Sequence, residues 1–327
     1  MYSIGLDISK STINVYVPYN DLDLVIENNI KSLKSLYSKL KKQYKKDIDK
    51  LVFVYEPTGN YSSVIKKFAA NKNIKCFIVN PKQSSNFSKA IGQRNKNDVN
   101  DARMLSQMIV TASKEQIKVP VIKQEIEEIK ELITYYQFLI KQKSQNKNHL
   151  ESLIAKDGIS KLIQRIKKEI KLLEQKEKEI LLEIKKVIAK DEKLQEAFIN
   201  IQSIKSVGEV SAIVLLHHFI QYSNANQKEI ISLAGLDPIE KTSGTSIKSK
   251  TRISKAGSKL CRSVLFMASL NATQYNEELK RFYNRLKENG KHTTVAQIAV
   301  MRKIVVIAHS IYKNNEKYDE ERYKRYL

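Results

Sequence analysis

The stretch SIGLDISKSTINVYV, residues 3–17, decides the fold of the first part of this chain. Its two apolar halves predict a strand, a turn and a second strand. LVFVYE (51–56) and IKCFIVNP (74–81) predict two more strands, and YSSVIKKFAANKN (61–73) between them predicts a helix. This alternation over residues 1–120 predicts an α/β domain with a mixed sheet.

The remainder is predicted to be helical. From about residue 123 to 192, Lys, Glu, Ile and Leu dominate, and Gly158 is predicted to end a first helix, giving a helical hairpin or a broken rod. We therefore predict a coiled-coil arm over residues 121–195, either a solvated spacer or an assembly arm, and a compact, mostly helical domain over 196–327. The apolar face of the second arm helix is formed by Ile163, Ile166, Ile170, Leu173, Ile180, Ile184 and Val187.

Charge and cysteine usage narrow the class of protein. The 58 Lys and Arg against 35 Asp and Glu give a net charge of +23, which indicates a polyanionic partner, nucleic acid first. A lysine-rich solvated surface is the alternative. Cys76 and Cys261 lie far apart, so neither a zinc site nor a disulfide framework is expected, and a reducing cytoplasm fits. No export signal or membrane span is predicted.

Four carboxylates form the candidate catalytic set. Asp7 ends the first predicted strand and Glu56 ends LVFVYE, while Asp98 and Asp101 stand three apart in KNDVNDARML (96–105), on one face of a predicted helix start. Four carboxylates suit two hard divalent cations and the cleavage or transfer of phosphodiesters. Each also has a simpler interpretation, as a turn former, a helix cap or a partner of the helix dipole.

The order of these residues, with EPTGNY (56–61) and KNDVNDA (96–102) around them, resembles the RuvC-like, RNase H-like domain of DEDD-type transposases of the one-ten insertion-sequence family. The resemblance covers nearly the whole chain. It implies that the carboxylates bind Mg²⁺, with Mn²⁺ as a substitute. The first motif also resembles the phosphate loop of actin-like ATPases and sugar kinases, but the nine glycines provide neither their second glycine-rich loop nor their adenosine site.

A second stretch, LAGLDPIEKTSGTSIKSKTRISKAGSKLCRSVL (233–265), is similar to the same family, which has a GLxP turn, a Ser-Gly pair and a basic ISKxG helix. The resemblance implies that Ser243 is the nucleophile and forms a phosphoserine with DNA. Without the resemblance, a Ser-Gly in a polar loop indicates a turn. The neighbouring hydroxyls that compete for the assignment are Thr245, Ser246, Ser249, Thr251 and Ser254.

Four basic residues follow this serine at spacings of three, four and three. Arg252, Lys255, Lys259 and Arg262 are therefore predicted to form one basic face of a helix, which binds the nucleic-acid phosphates or is simply solvated. His217 and His218 lie in an apolar helical segment and are predicted to be structural.

The resemblance further implies the partners: DNA at the element ends and at the target, a guide-like structured RNA, and other copies of the chain in a dimer or tetramer. In the family, the carboxylates hold Mg²⁺ near the serine, often across protomers. The expected location is the cytoplasm, with association to the nucleoid when bound. Two alternatives remain open, a metal-only RuvC-type nuclease or resolvase and a noncatalytic nucleic-acid-binding protein.

Overall fold

The computed structural model describes residues 1–92, 98–240, 242–243, 247–248 and 251–323; for 242–243 and 247–248 the description is of the backbone. The chain divides into two compact units, Met1–Lys123 and Gln124–Leu327. The first unit holds a mixed α/β sheet. The second unit, over its described residues, consists of helices and short paired strands.

The first unit is built on a sheet of five strands in the order β3-β2-β1-β4-β5. Strands β1, β2 and β3 form an antiparallel meander, and β4 and β5 run parallel to β1. This mixed sheet confirms the α/β prediction. The strands are β1 (Tyr2–Ile8), β2 (Thr12–Val17), β3 (Leu22–Glu27), β4 (Leu51–Tyr55) and β5 (Lys75–Ile78). The helices are α1 (Ile30–Tyr44), α2 (Ser63–Asn71), α3 (Pro81–Ala90) and α4 (Asp98–Gln107).

The two faces of this sheet are covered by different helices. On one face, Ile4 and Leu6 of β1 and Phe53 of β4 are fully buried against the apolar sides of α1 and α2. Because side chains alternate along a strand, Ser3, Gly5 and Asp7 of β1 point to the opposite face. On that opposite face, Val52, Val54 and Phe77 pack against Met104, Leu105 and Met108.

Gly5 allows α4 to lie directly on β1. A Cβ atom at this position would stand 1.9 Å from the carbonyl oxygen of Ala102 and 2.8 Å from the amide nitrogen of Ser106. The hydroxyl oxygens of Ser3 and Ser106 are 3.1 Å apart. Since Ser106 meets Ser3 and Ala102 meets Gly5, α4 runs in the opposite direction to β1, and its N-terminus lies toward the carboxyl end of the strand.

The second unit begins with two long helices, α5 (Gln124–Ala155) and α6 (Ser160–Ile188), which pack against each other. Between them Asp157 adopts a left-handed φ of 51°, and the Gly158 amide donates to the Leu153 carbonyl at 2.8 Å. Of the two predicted arrangements, a helical hairpin or a broken rod, the structure has the hairpin. The predicted apolar face of α6 is buried or half-buried at every position. Supercoiling of the pair stays a prediction.

A buried ion pair interrupts the apolar seam of this hairpin. Glu177 stands four residues after Leu173, at a position of the buried face, and is 8% exposed. Its Oε2 accepts from Lys143 Nζ at 2.5 Å. An outer cluster on the far side of the pair is formed by Leu153, Ile166 and Ile170. On the near side, the root of the hairpin joins the main core of the unit through Ile129, Ile133, Ile184, Val187 and Ile188.

In the main core of the second unit, several helices pack around α12. The helices that follow the hairpin are α7 (Glu192–Gln202), α8 (Glu209–Gln221), α9 (Gln227–Leu233), α10 (Lys259–Tyr275), α11 (Glu277–Glu288), α12 (Thr293–Asn314) and α13 (Glu320–Tyr323). Of the described helices, one, α12, is long and apolar enough to cross a membrane. It packs against α7, α8, α9, α10 and α11, with Val300, Ile304 and Ile307 fully buried, as a core helix does.

Candidate active site

Two of the four predicted carboxylates lie side by side at the carboxyl ends of parallel strands. Leu6 of β1 pairs with Tyr55 of β4. Asp7 is the next residue of β1, and Glu56 follows Tyr55 directly after β4 ends. If the register is continued by that one residue, Glu56 comes beside Asp7 at the interstrand spacing of about 4.8 Å. Alternation puts Asp7 on the face of Gly5, and Glu56 on the face of Val54. Both side chains therefore leave the sheet on the face that α4 covers, and both are half-buried.

The other two carboxylates are on the first turn of α4. Ala102 lies over Gly5. From this contact, Asp7 is two residues further along β1, a rise of about 6.6 Å, and Asp98 is four residues back along α4, a rise of about 6 Å. Because the two rises are nearly equal, the backbone of Asp98 lies near the level of Asp7. Asp98 is exposed and Asp101 is half-buried. Both also lie where the helix dipole favours negative charge.

All four residues offer carboxylate oxygens, the ligands that Mg²⁺ and Mn²⁺ prefer. Asp7 and Asp101 each take part in at least one polar or electrostatic contact. Over the described ranges, no three His, Cys, Asp or Glu side chains are close enough together to hold a metal ion. The fit to a metal is therefore one of donor chemistry and backbone placement.

Asn14 belongs to the same row of side chains and was not recognised in the sequence. It is the antiparallel partner of Asp7 on β2 and is 8% exposed. A carboxamide beside a carboxylate is able to donate a hydrogen bond to it or to offer a neutral oxygen. The available signal was a polar residue in the middle of TINVYV, where a strand otherwise consists of β-branched and aromatic residues.

Ser243 lies on a β-hairpin of the second unit. The outer strands of the hairpin are β6 (Pro238–Ile239) and β9 (Arg252–Ile253), and the inner strands are β7 (Thr242–Ser243) and β8 (Ile247–Lys248). Ser243 pairs with Ile247, the last described pair before the turn. Of the competing hydroxyls, Thr245, Ser246 and Ser249 lie outside the described residues.

The foot of the hairpin is a tight junction of loops. The Ser254 amide donates to the Asp237 carbonyl at 2.9 Å, and the Ser254 hydroxyl donates to the Asp237 carboxylate. Arg302 of α12 donates to the Leu236 carbonyl at 2.7 Å. A Cβ at Gly257 would stand 1.9 Å from the Leu233 carbonyl oxygen, so only glycine fits there. The hairpin therefore starts from a rigid base.

The predicted basic helix over residues 252–262 is wrong. Arg252 is in strand β9, and Lys255 lies in a loop with a left-handed φ of 54°. Helix α10 starts at Lys259, after Ser258 has capped it by accepting from the Cys261 amide. The Arg262 guanidinium points inward and donates to the carbonyls of Ala234 at 3.1 Å and Gly257 at 2.8 Å. Arg262 therefore supports the foot, whereas the other three are exposed.

Of the paired histidines of α8, His218 is buried in the core and His217 is half-buried. His218 is 3% exposed and packs its ring against Tyr222 at a centroid distance of 5.1 Å. Burial lowers the pKa of His217 to about 4 and also lowers the pKa of His218. Neutral imidazoles in an apolar setting agree with the structural role predicted for them.

Comparison with known proteins finds that both units match models of transposases. Residues 4–156 match a model of DEDD transposases of the IS110 type, described as "Transposase", and residues 199–284 match the model described as "Transposase IS116/IS110/IS902 family". The chain is 25% identical over 330 residues to the "Pilin gene-inverting protein" of Moraxella bovis. It is 24% identical over 332 residues to the protein of the same name from Moraxella lacunata. Each alignment covers 97% of both chains.

Proposed function

Because the chain belongs to the IS116/IS110/IS902 family of transposases, we propose that it cuts and rejoins DNA through a serine nucleophile assisted by a divalent metal. Family membership makes it a transposase or recombinase that acts on DNA. The observation that carries the finer proposal is that Asp7 lies in β1, Glu56 follows the neighbouring parallel strand β4, and α4 lies over Gly5 with its N-terminus toward the carboxyl ends of these strands. The family match covers these carboxylates in one unit and Ser243 in the other.

In this proposal the first unit supplies the metal ligands. Asp7 and Glu56 come from the sheet, and Asp98 and Asp101 come from α4. A bound Mg²⁺ or Mn²⁺ polarises a phosphodiester oxygen and stabilises the negative charge that develops on phosphorus. The four side chains would offer the cation oxygen donors alone, and Gly5 allows α4, which carries two of them, to lie directly on β1.

The second unit supplies the nucleophile. The Ser243 oxygen bonds to phosphorus and gives up its proton, while the bridging oxygen of the phosphodiester leaves with the DNA strand and takes up a proton. The product is a phosphoserine, which a DNA hydroxyl attacks in the reverse sense to rejoin the strand. The backbone pairing of Ser243 with Ile247 and the hydrogen bond from Arg302 to the Leu236 carbonyl support this role, because both fix the backbone of the segment that contains the serine.

The charge of +23 is assigned to nucleic-acid binding. Arg252, Lys255 and Lys259 are exposed near the hairpin and are candidates for phosphate contacts. The proposal includes a structured guide-like RNA as a second polyanion, and assembly of two or four copies so that several strands are exchanged together. The site of action is the nucleoid.

The relatives named pilin gene-inverting proteins support a variant of this function. Inversion of a DNA segment and insertion of an element both need strands to be cut and rejoined. The identity covers 97% of both chains. The proposed chemistry therefore applies equally to an inversion substrate, and the choice between the two is made by the DNA and RNA partners.

The test is to trap the covalent intermediate. Full-length protein is incubated with Mg²⁺, the structured RNA encoded beside it and labelled DNA that carries the joined element ends, and then denatured. We expect a labelled protein band whose phosphopeptide mass locates the DNA on Ser243. Ser243→Ala is expected to abolish the band. Thr251→Ala is the matched control, since this exposed hydroxyl of the hairpin contacts only Glu240 in a 3.3 Å hydrogen bond among its described side-chain contacts.

The alternatives give different results. Cleaved DNA without an adduct, unchanged in Ser243→Ala, supports a metal-only nuclease. Binding without cleavage in every variant supports a noncatalytic nucleic-acid-binding protein. An adduct that persists with chelator and in Asp7→Asn removes the metal from the mechanism but keeps the serine.

A further inference from the structure

Arg103 joins α4 to two strands of the sheet in the first unit. Its Nε donates to Asp23 Oδ1 at 3.1 Å and its Nη2 to Asp23 Oδ2 at 2.5 Å, while Nη1 lies 3.0 Å from Asp21 Oδ1. The guanidinium carbon lies 4.6 Å from the centre of the Tyr16 ring. The Tyr16 hydroxyl in turn donates to Asp21 at 3.0 Å. One side chain thus connects the helix with β2, with β3 and with the turn between them.

These contacts fall on a single row of the sheet. Gly5 of β1 pairs with Tyr16 of β2, and Tyr16 pairs with Asp23 of β3. Ala102 contacts the row at Gly5 through its backbone, and the next residue, Arg103, contacts it at the other two positions. The next row on the same face contains Asp7 and Asn14. Arg103 therefore fixes α4 one row away from the carboxylates.

We infer that Arg103 is a positioning residue for the metal site, which sets the placement of Asp98 and Asp101 over Asp7 and Glu56. This inference rests on the function proposed above. On one side of Gly5, Met104, Leu105 and Met108 pack against β4 and β5. On the other side, Arg103 attaches α4 to β2 and β3, so that the two attachments together prevent α4 from rolling about its own axis, the motion that displaces side chains on its first turn.

The chemistry of the contact makes it suitable for this task. Isolated ion pairs at a protein surface contribute little to stability. Here the guanidinium is bidentate on Asp23, also pairs with Asp21 and stacks on the Tyr16 ring. The Arg103 and Asp23 side chains are only 36% and 34% exposed, so this pair is partly shielded from solvent. A planar fork fixed at several acceptors defines an orientation, which a single ammonium group does not.

The experiment measures Mn²⁺ binding to the full-length protein by calorimetry, without DNA or RNA. Arg103→Ala is expected to weaken binding about tenfold, as loss of a supporting contact around metal ligands commonly does. Arg103→Lys is expected to recover only part, because it keeps the charge and loses the fork. Arg281→Ala is the matched control: this arginine also pairs with two acidic residues, Glu277 and Glu278, but on α11 of the second unit, and it is expected to bind as wild type.

The outcomes separate the inference from the function beneath it. If Arg103→Ala binds Mn²⁺ as wild type while Asp7→Asn has lost binding, Arg103 has no positioning role and the metal site stands. If Asp7→Asn also binds as wild type, the metal site itself fails and the role of Arg103 fails with it. Circular dichroism and urea denaturation show whether Arg103→Ala folds. If it does not, the double variant with exchanged charges, Arg103→Glu and Asp23→Arg, is measured instead. Mn²⁺ binding by this double variant supports the inference, and loss of binding in a folded double variant overturns it.

Discussion

Replacing Gly5 with alanine is the sharpest perturbation that the structure offers. The new Cβ would stand 1.9 Å from the Ala102 carbonyl oxygen, and ordinary contact begins at 3.4 Å, so α4 must retreat by 1.5 Å. The obstacle is backbone, which has no rotamer to change. Overpacking of this kind costs about 1–3 kcal/mol of unfolding free energy. A misplacement near 1 Å at a reacting centre is worth about 100-fold in rate.

We therefore expect Gly5→Ala to lower the free energy of unfolding by about 2 kcal/mol and DNA cleavage by about 100-fold. Urea denaturation followed by circular dichroism and the covalent-adduct assay measure the two effects. Gly208→Ala is the control, because Gly208 has an ordinary φ of −78° and no atom within 4 Å of its Cβ position. A Gly5→Ala protein with the stability and activity of wild type would show that α4 is not seated on β1.

Three further predictions concern the second unit. Lys143→Met leaves Glu177 buried without its partner and should lower the free energy of unfolding, measured by urea denaturation, by about 3 kcal/mol. Adding Glu177→Leu should restore most of this lost stability. Equal stabilities of the single and double variants would contradict this. Burial lowers the pKa of His309 to about 4, below the usual 6.5, so stability should fall as pH decreases from 6.5 to 4, by at most about 3 kcal/mol. His309→Gln should flatten this pH dependence, and an unchanged slope in the urea midpoint would rule His309 out as its source. Arg262→Ala should lower the free energy of unfolding by about 1–3 kcal/mol, because it leaves two carbonyls without their donor. Arg252→Ala should keep the stability of wild type and weaken DNA binding in a fluorescence anisotropy titration. The reverse pattern would contradict the different roles given to these two arginines.

Local patterns predicted much of the fold. The apolar halves of residues 3–17 predicted two strands, and the three-four spacing in α6 predicted its buried face. Both signals depend only on residues near in sequence. The same spacing also runs through Glu177, but its burial was not predicted, because a carboxylate rarely occupies a core position. Its partner is 34 residues away, and nothing local indicated the pairing.

The candidate site divides in the same way. The sequence predicted Asp7 and Glu56 at strand ends, and the structure has Asp7 one residue before the end of β1 and Glu56 directly after β4. That the two strands are parallel neighbours is a tertiary fact that local patterns do not report. Arg103 and Asp23 are 80 residues apart, so no spacing argument could join them. The basic helix failed because periodicity was applied through residues 252–258, where Lys255 with its left-handed φ and the close contact at Gly257 prevent a helix. Charge spacing alone does not report backbone conformation.

The Lys143–Glu177 pair has a consequence for how the hairpin of α5 and α6 unfolds. The buried apolar residues described beyond it are few, namely Leu153, Ile166, Ile170 and Leu173, whereas the root shares the core of the whole second unit. A charged layer between them limits cooperativity, because opening the outer segment leaves the root packed. The rate of amide hydrogen exchange should therefore differ between two parts of α6, with fast exchange in the residues before Glu177 and slow exchange in the residues after it. The far end of the hairpin is in effect a separate folding unit, able to open and close while the domain that carries it stays intact.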